Sequence, residues 1–412
     1  MSPIPIRTGS SPRSSRSSLA ALLCLVALSA CTTAPPAAPP APEPAAARLD
    51  LDRVDFAALP GWDGHDPRPA LVALARSCAR IDARPDAELL NPNAPWAGRA
   101  GDWREVCLQA SMLQFADMTA DGARAFFERT FTPFEISGTG RLTGYYEPTI
   151  PVRARPEDEF SMAIRARPDD LLTGDLGQFI AGLEGRRIVG YATERTFEPY
   201  RTRAEIEAQD LGVPLAWGRP VDVFFLQIQG SGRLVYPDGS QARAQFAAHN
   251  GRPYVSIGRV LIERGELSEH DASKDDIEAW LNARGPEAWT PLFNENPRYV
   301  FFNLEPLTDP DLGPLGGQGA PLTPMASLAV DPRHHAWGAP VYLSATLPGE
   351  PDWSGLVIAQ DAGGAIEGPL RGDLFFGWGE EAGYRAGRQN ATDARWRVFL
   401  PRPVAARLAD SS

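Results

Sequence analysis

Apolar and polar positions along this chain fall into three regimes. The first is a lone apolar run, LAALLCLVALSA (Leu19 to Ala30), behind serine-rich sequence carrying Arg7, Arg13 and Arg16. It is too short to span a bilayer and has the length of a secretory h-region. The second, from about Leu49 to Phe131, has helical spacing. Leu71, Leu74, Cys78 and Ile81 form one stripe, and Trp103, Val106 and Ala110, with Cys107 among them, form another. Thr119-Ala120-Asp121 predicts an N-terminal cap before ARAFFERTF, with Phe126 and Phe127 in the core.

The third regime is strand-like. RLTGYYEPTIPV (Arg141 to Val152) is bounded by glycine and proline, and VDVFFLQIQ (Val221 to Gln229) reads as a strand that ends in period-two alternation. RLVYPDGSQARAQF places Pro237-Asp238-Gly239-Ser240 as a hairpin turn between two alternating runs. Two helices interrupt this pattern. SIGRVLIERG closes at Gly265, and SKDDIEAWLNARG opens at Ser273, with Asp276 as its capping-box acid, and closes at Gly285. YVFFNLE, SLAVD, APVYLSA, GLVIAQD and DLFFGW follow as short apolar strands without helix-length segments between them. That spacing predicts a barrel, with the strands after about residue 300 as one unit, rather than a βαβ sheet.

Composition narrows the chemistry. The 412 residues suffice for two domains, and a formal charge of −12 argues against a nucleic-acid binder. The one lysine, Lys274, sits at a helix start, which removes P-loop and Schiff-base chemistry. The five histidines show no HExxH spacing and the four cysteines no CxxC, which argues against hydrolytic metal chemistry and a cysteine nucleophile, and no metal is expected. Leu28-Ser29-Ala30-Cys31 resembles a bacterial lipobox, with Cys31 the lipidated residue, and TTAPPAAPPAPEPAAA (Thr32 to Ala47) reads as an extended tether. Export leaves Cys78 and Cys107 in an oxidising compartment, as a candidate disulfide or as two buried thiols.

Asp361 and Asp373 stand twelve positions apart around Gly363, Gly364, Gly368 and Gly372, each next to an apolar strand. If both carboxylates face one cleft, their repulsion raises one pKa and keeps one acid protonated near neutral pH, as a general acid requires. Asp331 is a third candidate; turn aspartates at strand ends would show the same pattern. Amides and hydroxyls beside glycines (Gln227, Gln229, Gly230, Ser231) and nearby aromatics (Tyr145, Tyr146, Trp337, Trp378) suit a saccharide, although aromatics in strands are also ordinary core.

GYYEP (Gly144 to Pro148), VDVFFLQIQGSG, SIGRVLIERGEL, MASLAVD (Met325 to Asp331) and QDAGGAIEGPLRGDLFFGWGEEAGYRAG (Gln360 to Gly387) together resemble the membrane-bound lytic transglycosylase A family. The last of them resembles its three-aspartate (3D) signature. The resemblance implies a mainly β fold with N-terminal helices, in which a double-psi β-barrel carries an inserted second β-barrel and the glycan lies in the groove between them. The expected organisation is a lipoprotein signal peptide over 1–30, lipidated cysteine and tether over 31–48, and helices with the first strands of domain 1 over 49–150. The insert is expected over 151–305 and the rest of the double-psi barrel over 306–412.

Carried over by position, the resemblance makes Asp373 the catalytic acid, Asp361 its supporting neighbour and Asp331 the third signature aspartate. Tyr145, Tyr146, Glu147, Gln227, Gln229, Gly230, Ser231, Gly363 and Trp378 become candidate substrate contacts. The family usually has lysine where this chain has Glu367, which either raises the aspartate pKa values further or faces solvent. The implied enzyme is a peptidoglycan lytic exotransglycosylase, a lyase of the EC 4.2.2 class that forms 1,6-anhydro-N-acetylmuramic acid without a cofactor, although the residues leave exo- against endo-action open. Its implied place is the periplasmic face of the outer membrane of a Gram-negative bacterium. Glycan strands, the outer membrane through Cys31 and peptidoglycan synthases are its candidate partners. A hydrolytic muramidase pairing Asp373 with Glu147, a non-catalytic peptidoglycan anchor and an aspartic-protease-like dyad stay open as alternatives.

Overall fold

A computed structural model of the chain describes residues 49–183, 186–268 and 272–409. The signal peptide, the lipidation at Cys31 and the tether lie outside the described residues. A short strand, β1 (Leu51–Arg53), precedes three helices, α1 (Arg68–Ile81), α2 (Arg104–Ser111) and α3 (Ala120–Thr130). The Thr119 hydroxyl accepts the Gly122 N–H at 3.0 Å, capping α3 as its sequence predicts. The stripes of α1 and α2 meet, and Cys78 and Cys107 are joined in a disulfide with Cα atoms 5.2 Å apart. Replacing both cysteines by serine is expected to lower stability by about 3 kcal/mol, because the bridge closes a loop of some thirty residues in the unfolded chain. Urea unfolding checks this, and an unchanged midpoint would contradict it.

The long strand β2 (Phe131–Glu147) leads into the insert: β3 (Thr149–Pro151), β4 (Met162–Arg165), β5 (Leu172–Asp175), β6 (Arg187–Ala192), β7 (Phe197–Pro199), α4 (Arg203–Ala208), β8 (Pro214–Gly218), α5 (Pro220–Gln229), β9 (Gly232–Val235), β10 (Gln241–His249), α6 (Ile257–Glu263), α7 (Lys274–Arg284), α8 (Trp289–Asn294) and β11 (Val300–Pro306). The chain then returns through β12 (Ser327–Val330), β13 (Pro340–Leu347), β14 (Glu350–Asp361), β15 (Arg371–Trp378), α9 (Gly379–Arg388), β16 (Asn390–Pro401) and α10 (Arg402–Ala409).

Six strands close on themselves in the order β2-β15-β12-β14-β13-β16, with β16 pairing back to β2. The β2–β15 and β12–β14 pairs are parallel and the other barrel pairs antiparallel. Closure removes the exposed edges that a six-stranded open sheet would present. Leu142, Val330, Leu343, Val357, Leu374 and Trp396 fill the interior. Helices α1 to α3 cover one outer face, packing Leu74 and Phe127 near Tyr342, Leu356, Ile358 and Phe399. Helix α9 and the first part of β16, GEEAGYRAGRQNATDAR, are too polar to read as core from the sequence.

The insert holds a sheet of order β11-β10-β9-β3, a β4-β8 pair and a β5-β6-β7 ribbon. Strand β11 therefore pairs with β10 of the insert and not with the barrel strands that follow it, which corrects the grouping of all strands after residue 300. A second correction concerns VDVFFLQIQ, which is the helix α5 and not a strand. Pro220 stands in its first turn, and Gly230, at φ +83°, closes it by donating its N–H to the Leu226 carbonyl. Val223 and Leu226 pack on the insert sheets while Val221 and Phe224 pack on α6 to α8, so the helix is buried on two sides. Burial on both sides overrides the β-propensity of its valines and phenylalanines.

Candidate active site

Barrel register brings four residues into one row. Thr143 of β2 lies opposite Asp373 of β15, Asp373 opposite Ala329 of β12, and Ala329 opposite Asp361 of β14. Two inter-strand spacings separate the aspartates, about 10 Å along the sheet. Leu374 and Phe376 point into the barrel, so Asp373 between its neighbours faces outward. Simple alternation would send Asp361 inward with Val357 and Ala359, but the β12–β14 register slips by one residue between Ala359 and Asp361. That bulge turns Asp361 onto the outer face beside Asp373. Gln360, the extra residue, is buried against α1, where its amide donates to the Ala73 carbonyl (3.0 Å) and to Ser77 Oγ (2.9 Å).

The two carboxylates have different surroundings. Asp361 accepts from the Tyr145 hydroxyl, the Gly317 N–H and the Ala362 N–H, each at 2.8 Å. Asp373 accepts from the Thr143 hydroxyl at 2.7 Å. Burial pushes the Asp373 carboxyl up to about 6; the Thr143 bond and the Arg371 charge oppose the rise, and Asp361 adds to it. Burial raises Asp361 as well, against the three donors that favour its anion. Desolvation, more than repulsion between the two acids, therefore makes Asp373 a proton donor close to neutral pH. Glu367 is exposed and does not act on either aspartate, so its place is in solvent.

In front of Asp373 lies a cleft of about 230 Å³ between the barrel and the insert. Tyr145, Gly363 and Gly364 line the barrel side, and Gln227, Gln229 and Arg298 the insert side. Among the described residues that line it, Asp373 is the one carboxylate. A larger depression, about 500 Å³, between Thr346–Pro348 and Arg388–Asp393 contains neither aspartate. Among the described residues no group of three or more His, Cys, Asp or Glu side chains could hold a metal ion.

Known proteins share these domains and this fold. Residues 141–303 match the MltA specific insert domain and residues 326–398 match the 3D domain. The crystal structure of a membrane-bound lytic murein transglycosylase from Agrobacterium tumefaciens superposes with a TM-score of 0.76 at 33% identity, covering 87% of this chain and 99% of that one. The chain belongs to the membrane-bound lytic murein transglycosylase A family. A family member from Vibrio cholerae is 30% identical over 274 residues, 64% of this chain; the match spans 66% of that relative's length, just short of two thirds. The structure of Escherichia coli MltA with bound chitohexaose superposes with a TM-score of 0.58 at 25% identity, over 85% of this chain and 93% of that one. The fold class expected from the sequence is thus that of the family.

Of the family contacts carried over from sequence, the structure gathers Asp373, Tyr145, Gln227, Gln229 and Gly363 at the cleft, and Asp361 is bonded to the Tyr145 hydroxyl without lining it. It places the others elsewhere. Glu147 is fully buried between Arg233 and Arg243, so it cannot serve as a second carboxylate for hydrolysis or touch a glycan in this cleft. Trp378 is taken by Arg233, whose guanidinium lies 4.1 Å from its ring centre, and Tyr146 packs against Gly383. Gly230 and Ser231 form the end of α5 and its exit. Asp331 is buried and accepts from Arg333 (2.8 Å) and from the Gly368 N–H (2.6 Å), and so anchors the loop that carries Gly363 and Gly364. Burial alone would raise the Asp331 carboxyl, but these partners hold it below its ordinary range.

Thr143 and Gly317 escaped the sequence reading. Thr143 sits inside RLTGYYEP with nothing to mark it, whereas the glycine cluster GPLGGQG around Gly317 was a visible sign of close backbone approach.

Proposed function

We propose that this chain cleaves the β-1,4 bond between N-acetylmuramic acid and N-acetylglucosamine in peptidoglycan without water, with Asp373 as the one catalytic acid and base. The observation that carries this is a single carboxylate in the cleft, with its pKa raised to about 6. Protonated Asp373 donates to the glycosidic oxygen as the bond to C1 breaks. The resulting carboxylate takes the proton of the muramoyl C6 hydroxyl, whose oxygen attacks C1 and closes the 1,6-anhydro ring. No atom is gained or lost in this exchange, and Asp373 ends protonated again. Glycosidases that use water or a covalent intermediate set a second free carboxylate across the bond. Asp361 is two strands away and held by three donors, so it suits electrostatic tuning, and the nucleophile is already tethered within the substrate.

Gln229 is suited to an N-acetyl group, and Tyr145 both holds Asp361 and walls the cleft. The lipobox at Cys31 and the tether support anchoring to the periplasmic face of the outer membrane, within reach of peptidoglycan; among the described residues no helix is long and apolar enough to cross a membrane.

Mass spectrometry of products from purified peptidoglycan tests the reaction. Muropeptides one water lighter than hydrolysis products are expected, and reducing muramic ends would overturn the assignment. Because the first step needs protonated Asp373, kcat/KM is expected to fall about tenfold per pH unit above about 6. Removing the Asp361 charge lowers the Asp373 pKa, so Asp361→Asn shifts this alkaline limb to lower pH. A limb that stays in place in pH–rate profiles would remove Asp361 from that role.

A further inference from the structure

The insert side of the cleft carries two arginines, Arg298 and Arg203, that form no salt bridge with a carboxylate among the described residues. Arg298, just before β11, donates from Nη1 to the Arg252 carbonyl at 3.1 Å, and among the described residues no carboxylate pairs with it. Its guanidinium lies over Gly364 of the barrel loop, where a Cβ would come within 2.9 Å of Cζ and 3.0 Å of Nη2. A side chain at that position would push the guanidinium from its place across the cleft. His249, on which both Arg298 and Arg187 act, is held neutral, with its pKa lowered to about 4 by burial and by those two arginines.

Behind Arg298 stands Arg203 of α4, 1% exposed, which donates Nε to the Asn296 carbonyl (3.1 Å) and Nη2 to the Arg298 carbonyl (2.8 Å). Its Nη1 has no partner, and both polar atoms of the Gln227 side chain, 4% exposed, are also unpaired. Both residues line the cleft. Glu207, the carboxylate that acts electrostatically on Arg203, is within 4.0 Å of Arg165 and forms no hydrogen bond with Arg203. Buried polar groups normally find partners, and buried cations normally find anions. A chain with more acids than bases has left this pair open.

We propose that Arg298, backed by Arg203 and Gln227, forms a carboxylate subsite that grips an acidic substituent of the glycan while Asp373 acts on the glycosidic bond. This rests on peptidoglycan being the substrate, and it names the part of that substrate which an uncharged chitin chain lacks. Two carboxylates have the required chemistry: the lactyl group of muramic acid in strands stripped of peptide, and the free carboxylates of the stem peptide. A planar guanidinium with unused N–H groups suits either, by paired charge-assisted hydrogen bonds.

Binding to the inactive Asp373→Asn protein, with and without Arg298→Gln, tests the subsite by calorimetry. The probes are chitohexaose, a peptide-free tetrasaccharide of alternating N-acetylglucosamine and N-acetylmuramic acid, and the same tetrasaccharide with stem peptides. Arg298→Gln is expected to weaken one or both muramic probes by about tenfold or more and chitohexaose by no more than about twofold. Loss on the peptide-free probe identifies the lactyl carboxylate; loss confined to the peptide-bearing probe identifies the stem. Arg298→Lys, which keeps the charge but not the fork, should recover part of the loss and shows that the cleft still folds. Equal loss on all three probes, or loss on none, would overturn the subsite. Absence of binding by any probe before Arg298 is changed would instead overturn the peptidoglycan assignment.

Discussion

Asp373→Asn lowers the rate of muropeptide release by about 10⁴-fold or more, because one side chain supplies both proton transfers and amide cannot make either. The same variant becomes more stable than the parent at high pH. With a native pKa of about 6 against an ordinary 3.8, Asp373 favours the folded state fully only below about pH 4, and this contribution is lost as pH rises through 6. Above that pH the parent carries a buried charge that asparagine lacks. The difference is about 2 to 3 kcal/mol by linkage and vanishes near pH 4. Melting curves at pH 4 and pH 8, alongside product analysis, read both effects. Unchanged turnover would remove Asp373 from catalysis, while a stability gain equal at both pH values would trace the effect to packing rather than ionisation.

Glu147→Ala is expected to cost about 3 to 5 kcal/mol, although the residue touches no substrate. Glu147 ends β2, where the chain leaves the barrel. It accepts from Arg233 Nε of β9 (2.8 Å) and Arg243 Nε of β10 (2.5 Å), and both arginines also donate to the Leu312 carbonyl on the returning segment. One carboxylate thus ties the outgoing strand, the insert sheet and the way back. Its removal leaves two buried or nearly buried guanidinium groups without their anion. Since Gln229 of α5 also accepts the Tyr146 N–H at 3.1 Å, loosening this junction moves the insert side of the cleft relative to Asp373. Urea unfolding should show the loss, and kcat/KM should fall with it. A change below about 1 kcal/mol would mean that the three-way tie contributes little.

Much of the architecture could be read before folding was considered. Helix starts at Thr119 and Ser273, the glycine stops at Gly265 and Gly285, the PDGS hairpin and the run of apolar strands after Ser327 all lie where local pattern places them, because caps and turns depend on a few adjacent residues. The α5 helix reads as a strand because burial on two sides and strand burial both give a continuous apolar run, in which valine and phenylalanine outweigh the helix boundaries at Pro220 and Gly230.

The site divides in the same way. The residue types are legible along the chain: two aspartates beside apolar strands, glycines to thin the loop between them, and amides close by. Which of them meet depends on the folded barrel. The slip at Gln360 turns Asp361 outward, the β2–β15 pairing sets Thr143 against Asp373, and the return of Glu147 to two arginines takes it out of contention. The folded barrel also sets the pKa of Asp373, since that value comes mainly from the walls that enclose it. The physical reason is range: caps, turns and alternation act over a few bonds, whereas register, desolvation and charge pairing join groups far apart in sequence and exist only once the barrel has closed.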